Sequence, residues 1–125
     1  MTIQQALDRA DMIRPNMMQR ELKVAALSEL DGLVHQEILM KHWHRPEERE
    51  IPHYDESTDP GTVLLVPFPY DEIYTYWLQM KIDDQTLEYD KYNNDRLKFN
   101  AAYESFSDYW TRTRMPISTV RELRI

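Results

Sequence analysis

The side chains with the widest chemical repertoire stand together near the middle of the chain. His35, His42, His44 and His53 lie close to Glu47, Glu48 and Glu50, and these are the residue types that ligate zinc and related ions. Their spacing argues against a metal site. His42 and His44 are two apart, which on a helix points them to different sides, and the sequence holds neither HExxH nor any Cys/His pattern. A solvated polar loop that binds no metal is the plainer reading.

Acid-base chemistry has raw material as well. Glu104 and Asp108 are four apart, and Asp83, Asp84, Glu88 and Asp90 crowd one turn, so paired carboxylates can be drawn. Nothing supplies the nucleophile or the oxyanion donors that a mechanism needs. Ser28, Ser57, Ser105, Ser107 and Ser118 have no nucleophile-elbow context, and both glycines, Gly32 and Gly61, are isolated. The expectation is a protein with no catalytic residues, no cofactor and no metal.

What remains is recognition chemistry. Tyr54, Tyr70, Tyr76 and Tyr109 fall off the helical stripes described below, and tyrosine in excess on a surface marks protein interfaces. Arg112, Arg114, Arg121 and Arg124 are balanced near the C-terminal end only by Glu122, while the body is acidic. Such an arm suits an acidic partner or DNA phosphate. Arg112, Arg114, Arg121, Arg124, Tyr54 and Tyr70 are therefore the expected partner-binding residues.

Helices must position these groups. With only 2 Gly the 125 residues have little material for β-turns or for a phosphate-cradling loop, and the 7 Pro act as punctuation. Thr2 and Gln5 resemble a capping box, after which Ile3, Leu7, Ala10 and Ile13 repeat at helical spacing until Pro15. Asn16 is suited to cap a second helix from about Met17 to about Met40, bent if anywhere at Gly32. Pro69 is placed to open a third helix, with Ile73, Tyr74, Trp77, Met80 and Lys81 as its stripe. Tyr89, Tyr92, Arg96, Phe99, Tyr103, Phe106 and Trp110 alternate steps of three and four, which predicts a fourth helix ending near Met115, before Pro116.

Between the second and third helices the text is polar up to the turn Asp59-Pro60-Gly61. Thr62-Val63-Leu64-Leu65-Val66 then reads as a strand, with Glu50 to Tyr54 as its nearest antiparallel partner. The expected fold class is mainly α: a small bundle of about four helices with one short β-hairpin insertion. Residues 1–116 form a single domain on this reading, with the insertion at about 41–67 and a tail at 117–125.

Composition bounds the function classes. Hydrophobic residues at 42% and abundant aromatics are enough for a folded core, and the absence of Cys leaves no disulfide framework and no thiol chemistry. The net charge of -7 disfavours a general nucleic-acid-binding surface. The first residues lack the pattern of a signal peptide and no stretch approaches a membrane span, so a soluble protein made inside a cell is expected.

Several longer phrases carry a resemblance. They are Arg14-Pro15-Asn16, Leu27-Ser28-Glu29-Leu30-Asp31-Gly32, Leu64-Leu65-Val66-Pro67-Phe68-Pro69-Tyr70-Asp71-Glu72-Ile73-Tyr74, Glu88-Tyr89-Asp90-Lys91-Tyr92-Asn93-Asn94 and Phe99-Asn100-Ala101-Ala102-Tyr103. Together, over about Ile3 to Pro116, they resemble the head-to-tail connector, or adaptor, proteins of tailed bacteriophages and prophages. The resemblance implies a helical, non-catalytic subunit that forms a homo-oligomeric ring, in some cases only on its template. Such a ring sits beneath the portal protein, meets a tail-side or head-closure protein, and extends the channel through which DNA passes without sequence-specific contact. It implies a place in the virion at the head-tail interface, after synthesis in the bacterial host cytoplasm, with no membrane partner. Lys41 to Thr58 is longer and richer in His and Glu than that pattern.

Two other readings compete. One is a small helical regulatory adaptor that binds a single protein partner, and the other is a metal-dependent enzyme built on the His/Glu loop.

Overall fold

The computed structural model describes residues 1–42 and 44–114. Met115, where the fourth helix is expected to end, lies outside them, as does the tail with Arg121 and Arg124. Four helices account for the architecture: α1 (Ile3–Ile13), α2 (Arg20–Glu37), α3 (Glu72–Gln85) and α4 (Tyr89–Thr113), with single 3-10 turns at Leu39–Lys41 and Pro46–Glu48. α3 is the central element: α1 and α2 pack on it, and α4 runs antiparallel along it.

The ends of the helices follow from local chemistry. At α1 the capping box forms: the Gln5 amide donates to Thr2 Oγ1 at 3.2 Å and the Thr2 amide to Gln5 Oε1 at 2.9 Å. Arg14 is extended, as the residue before a proline must be, and α1 stops there. α2 starts three residues later than Met17. Asn16 caps no helix. Its Oδ1 accepts from the Met18 amide at 3.0 Å and its Nδ2 donates to the Arg14 carbonyl and to Asp11, so the side chain stabilises a turn instead. Gly32 lies inside a continuous α2 and gives room to Ile51, whose Cδ1 stands 3.9 Å from where a Cβ would be.

α3 also starts later than expected. Pro67 to Tyr70 forms a turn closed by the Tyr70 amide on the Pro67 carbonyl at 2.9 Å, and Asp71 is the residue that precedes the helix. The far end of α3 closes with the Glu88 amide on Asp83 O and the Leu87 amide on Asp84 O, the pair of bonds that usually places glycine in the left-handed region. Here Leu87 takes that place, at φ 59°, with its side chain 67% exposed.

The expected β-hairpin is not seen among the described residues. No strand occurs among the described residues; Val63 makes an isolated antiparallel bridge to Thr2. The backbone groups of 60–66 find other partners. Ile3 and Gln4 donate to Thr62 and Pro60, and the Leu64 amide donates to Met1 O. The Leu65 amide bonds to Asp31 at 3.1 Å and the Val66 amide to the Tyr74 hydroxyl at 2.7 Å. Glu50 to Tyr54, the expected pairing strand, is drawn onto α2, where Ile51 covers Gly32 and the Tyr54 amide donates to Ser28 Oγ at 3.0 Å. Backbone groups that a hairpin would have paired with each other are satisfied by helices and by the N-terminal residues instead.

One buried cluster draws on all four helices and the connection, with Leu7, Leu27, Leu30, Leu64, Ile73, Tyr74, Leu78 and Phe106 almost wholly enclosed. Each such side chain contributes roughly 1.5–3 kcal/mol by leaving water. The heptad stripe of α4 is buried only in part. Phe106 and Trp110 are core and Phe99 and Tyr103 pack against it, but Tyr89 is 61% exposed and Arg96 faces water.

At the centre lies Asp31, fully buried and paired with no cation among the described residues. The hydroxyls of Tyr54 and Tyr74 each donate to it at 2.6 Å, and the Leu65 amide completes the set. Burial pushes its carboxyl above the usual range while the three donors pull it down. Burial and the neighbouring charge hold both tyrosines well above their ordinary values, so they remain donors.

Three substitutions probe these features by urea denaturation. Tyr74→Phe strands both the Val66 amide and one Asp31 oxygen and is expected to cost about 3 kcal/mol, while Tyr54→Phe, which breaks one bond, costs about half as much. Leu87→Gly, which relieves the left-handed leucine, is expected to gain roughly 1 kcal/mol.

Candidate functional site

The connection between Val66 and α3 is short and held at both ends, and its proline-bracketed middle points outward. Phe68, bracketed by Pro67 and Pro69, is 84% exposed. Two residues on, Tyr70 turns back toward the protein. Its ring stacks on Tyr109 of α4, centroids 4.8 Å apart and planes 27° apart, and leans on Phe106 at 6.0 Å.

Next to that stack is an open hollow of about 490 Å³ lined by Tyr70, Ser105, Asp108, Thr111 and Arg112. Arg112 Nε donates to the Asp108 carbonyl at 3.3 Å, which leaves the rest of the guanidinium for outside acceptors. An exposed aromatic on a stiff turn, a stacked tyrosine pair and an arginine over a shallow hollow have the composition of a binding hot spot.

A second hollow, of about 330 Å³, lies nearby and is lined by Leu39, Glu47, Glu48, Glu50, Leu65, Trp110 and Arg114. Arg114 covers the Trp110 ring at 4.0 Å, a cation-π contact that fixes the last described residue against the body.

The expected partner-binding residues therefore divide. Tyr70 and Arg112 share one hollow, and Arg114 belongs to the other. Tyr54 is not a surface residue. It is only 6% exposed, because its hydroxyl is needed by Asp31. Arg121 and Arg124 lie outside the described residues. Phe68, which the sequence reading passed over, is the most exposed aromatic of the site. The one signal for it was the pair of flanking prolines, which leave an apolar side chain no helix or strand to hide in.

Three of the four histidines are occupied by the backbone. His35 Nε2 donates to the Glu48 carbonyl at 2.8 Å, His42 Nδ1 to Ile38 O at 2.9 Å, and His44 Nδ1 to His42 O at 2.8 Å. Among the described residues no three of His, Cys, Asp and Glu are grouped to hold a metal ion. No helix among them is long and apolar enough to cross a membrane.

The strongest electrostatic feature lies at the other end of the bundle. Arg14 Nη1 reaches Asp83 of α3 at 2.5 Å and Asp95 of α4 at 2.8 Å, tying the end of α1 to both helices. Both carboxylates are buried. Burial, then the hydrogen bond with Asp95, push the Asp83 carboxyl up to about 6, against the pull of Arg14. One cation thus serves two carboxylates, and Asp83 keeps its own proton into the mildly acidic range. The arrangement clamps three helices together and offers no opening to a substrate.

The chain matches no protein-family model, no curated protein and no solved structure.

The clamp makes stability depend on pH with a definite sign. Between the ordinary carboxylate range and about pH 6 the folded protein keeps a proton on Asp83 that the unfolded chain has released. The stabilisation from this group is therefore complete below that window and lost as pH rises through it. Asp83→Asn imitates the protonated form. It should match the wild type near about pH 4 and exceed it near about pH 7.5 in parallel urea titrations. A wild type that gains on the variant as pH rises would mean that Arg14 holds Asp83 ionised.

Proposed function

We propose that the chain is a non-catalytic structural subunit of a phage head-to-tail connector, which docks on the portal ring and extends the DNA channel. The observation that carries the reading is the exposed Phe68 on the turn that leads into the Tyr70-Tyr109 stack, together with Arg112 over the hollow beside that stack. It is a recognition surface on a protein whose other distinctive polar groups are spent on holding helices together. The choice of partner comes from the resemblance of the Pro67-Phe68-Pro69-Tyr70-Asp71 phrase and the Glu88-to-Asn94 run to connector proteins.

Charge agrees with that role. A net charge of -7 lets DNA slide past a ring of such subunits without sticking to it. The partners on this reading are the portal protein, a tail-side or head-closure protein and further copies of the chain. The place of action is the head-tail interface of the virion, after synthesis in the host cytoplasm.

The test is co-expression with the portal protein of the same genome, purification on the portal and electron microscopy of the particles. The expected result is a collar of matching symmetry on one face of the portal ring. Phe68→Ser, which is too exposed to change stability by more than about 0.5 kcal/mol, is expected to weaken docking about thirtyfold. A portal that emerges bare at micromolar wild-type protein and physiological salt defeats the connector reading and favours a single-partner regulatory adaptor.

A further inference from the structure

The hollow of about 330 Å³ beside Arg114 holds more acid than the described residues neutralise. Glu47, Glu48 and Glu50 line it together with Leu39, Leu65 and Trp110. Arg114, the one cation in its lining, is engaged on the Trp110 ring at 4.0 Å. Among the described residues Glu47 and Glu50 have no ion-pair partner, and Glu48 reaches only Arg45, at 4.0 Å.

Trp110 adds a need of another kind. It is 7% exposed, and its indole N–H is enclosed with no acceptor among the described residues. The indole of Trp77, buried to a similar degree, donates to the Ala26 carbonyl at 2.8 Å. A buried donor is costly to leave unpaired. The hollow therefore calls for an occupant that brings positive charge, apolar surface and a hydrogen-bond acceptor.

The chain beyond Arg114 has that chemistry. Arg114 is extended, at φ -130° and ψ 137°, so α4 ends there and the backbone leaves it at the rim of the hollow. Pro116 bars the helix from resuming at Met115. The eleven residues 115–125 carry Ile117, Val120 and Leu123 as apolar surface, and Arg121 and Arg124 against the single acid Glu122. At no more than about 3.6 Å per residue, Ile117 stands at most about 11 Å from Arg114 and Arg121 at most about 25 Å. Both lengths suffice for a hollow that Arg114 itself lines. A tether this short also gives the segment a local concentration on the order of millimolar, so a contact of modest strength is populated.

We propose that residues 115–125 fold back onto the chain that carries them, with Ile117 against Leu39 and Leu65 in the hollow and Arg121 and Arg124 on its glutamates. A backbone carbonyl of the segment accepts the Trp110 N–H. Opposite charge draws the segment in, and the apolar contact keeps water from the indole. The two arginines are then engaged within their own copy, and an acidic partner must displace them before it can take the arm. The contact needs neither a portal nor a second copy, so it stands or falls apart from the connector role.

The chain has no Cys, so introduced cysteines are its only thiols. The full chain with Leu65→Cys and Ile117→Cys is treated with oxidised glutathione beside a control with Asp108→Cys and Ile117→Cys. Asp108 is exposed on α4, about 9 Å along the helix from Arg114 and within reach of the same tether. The expected product is an internal, monomer-sized disulfide that forms about tenfold faster at Leu65 than at Asp108. Arg121→Glu with Arg124→Glu should remove that advantage, and Glu47→Arg with Glu50→Arg in the same chain should restore it. Circular dichroism confirms that each variant is folded. A dimer-sized product, equal rates at the two positions, or indifference to charge reversal each overturn the proposal. A chain without cysteines leaves the hollow unaltered and gives a second reading, the Trp110 indole N–H signal in NMR, assigned with Trp110→Phe. Ile117→Ser with Arg121→Glu and Arg124→Glu should move that signal to where it stands in a chain ended at Arg114. A signal that stays in place under the three changes overturns the proposal as well.

Discussion

A buried carboxylate held by neutral donors organises this protein. Asp31 is enclosed, and an ionised carboxyl in such a place costs several kcal/mol unless donors replace the water it has lost. The donors come from three places far apart in the chain: the Tyr54 hydroxyl from the polar connection, the Leu65 amide from the segment before α3, and the Tyr74 hydroxyl from α3 itself. To deliver them the whole of 50–66 must lie along α2. The irregular middle of the molecule is therefore an ordered structure whose shape is set by one buried charge. It takes the place of the hairpin, because backbone groups that bond to Asp31, Tyr74 and the N-terminal residues have no need of a paired strand.

Much of the helical frame was legible in the residues. The Thr2-Gln5 box, the stop before Pro15 and the long periodic run from Tyr89 are signals carried by neighbours in sequence, and local signals survive folding. The failures were of another kind. Asn16 had the right chemistry for a cap but used it on Asp11, Arg14 and Met18. Thr62 to Val66 had the composition of a strand but found partners at Met1, Asp31 and Tyr74. Tyr54 looked like surplus surface aromatic and is consumed by a carboxylate that periodicity alone places on the second helix and nothing in the sequence marks as buried. In each case the deciding partner lies outside the local pattern. For the candidate site the same division holds: Tyr70 and Arg112, singled out in the sequence, line one hollow, while Phe68 and the Arg14 clamp needed the fold to be seen.

The lengths of the helices explain why surfaces are left over. α4 has 25 residues against 14 in α3, about 37 Å against about 21 Å at the usual rise. A helix cannot bury a full heptad stripe on a shorter neighbour. Its far end reaches past α3 to stack Tyr109 on Tyr70, while Phe99 still packs on Trp77 within α3. The Tyr70-Tyr109 stack that borders the candidate site is thus a consequence of that mismatch.

Arg14 also has a bearing on time. Its bonds to Asp83 and Asp95 join residues 69 and 81 positions apart, whereas Asp31 meets Tyr54 and Tyr74 across 23 and 43. Closing the longer loops costs more chain entropy, so the α2-centred contacts can assemble before the clamp does. An interaction made late is absent from the folding barrier and present in the unfolding one. The guanidinium that holds three helix ends therefore does little to hasten a new copy to its native form, and much to set how long a finished copy lasts.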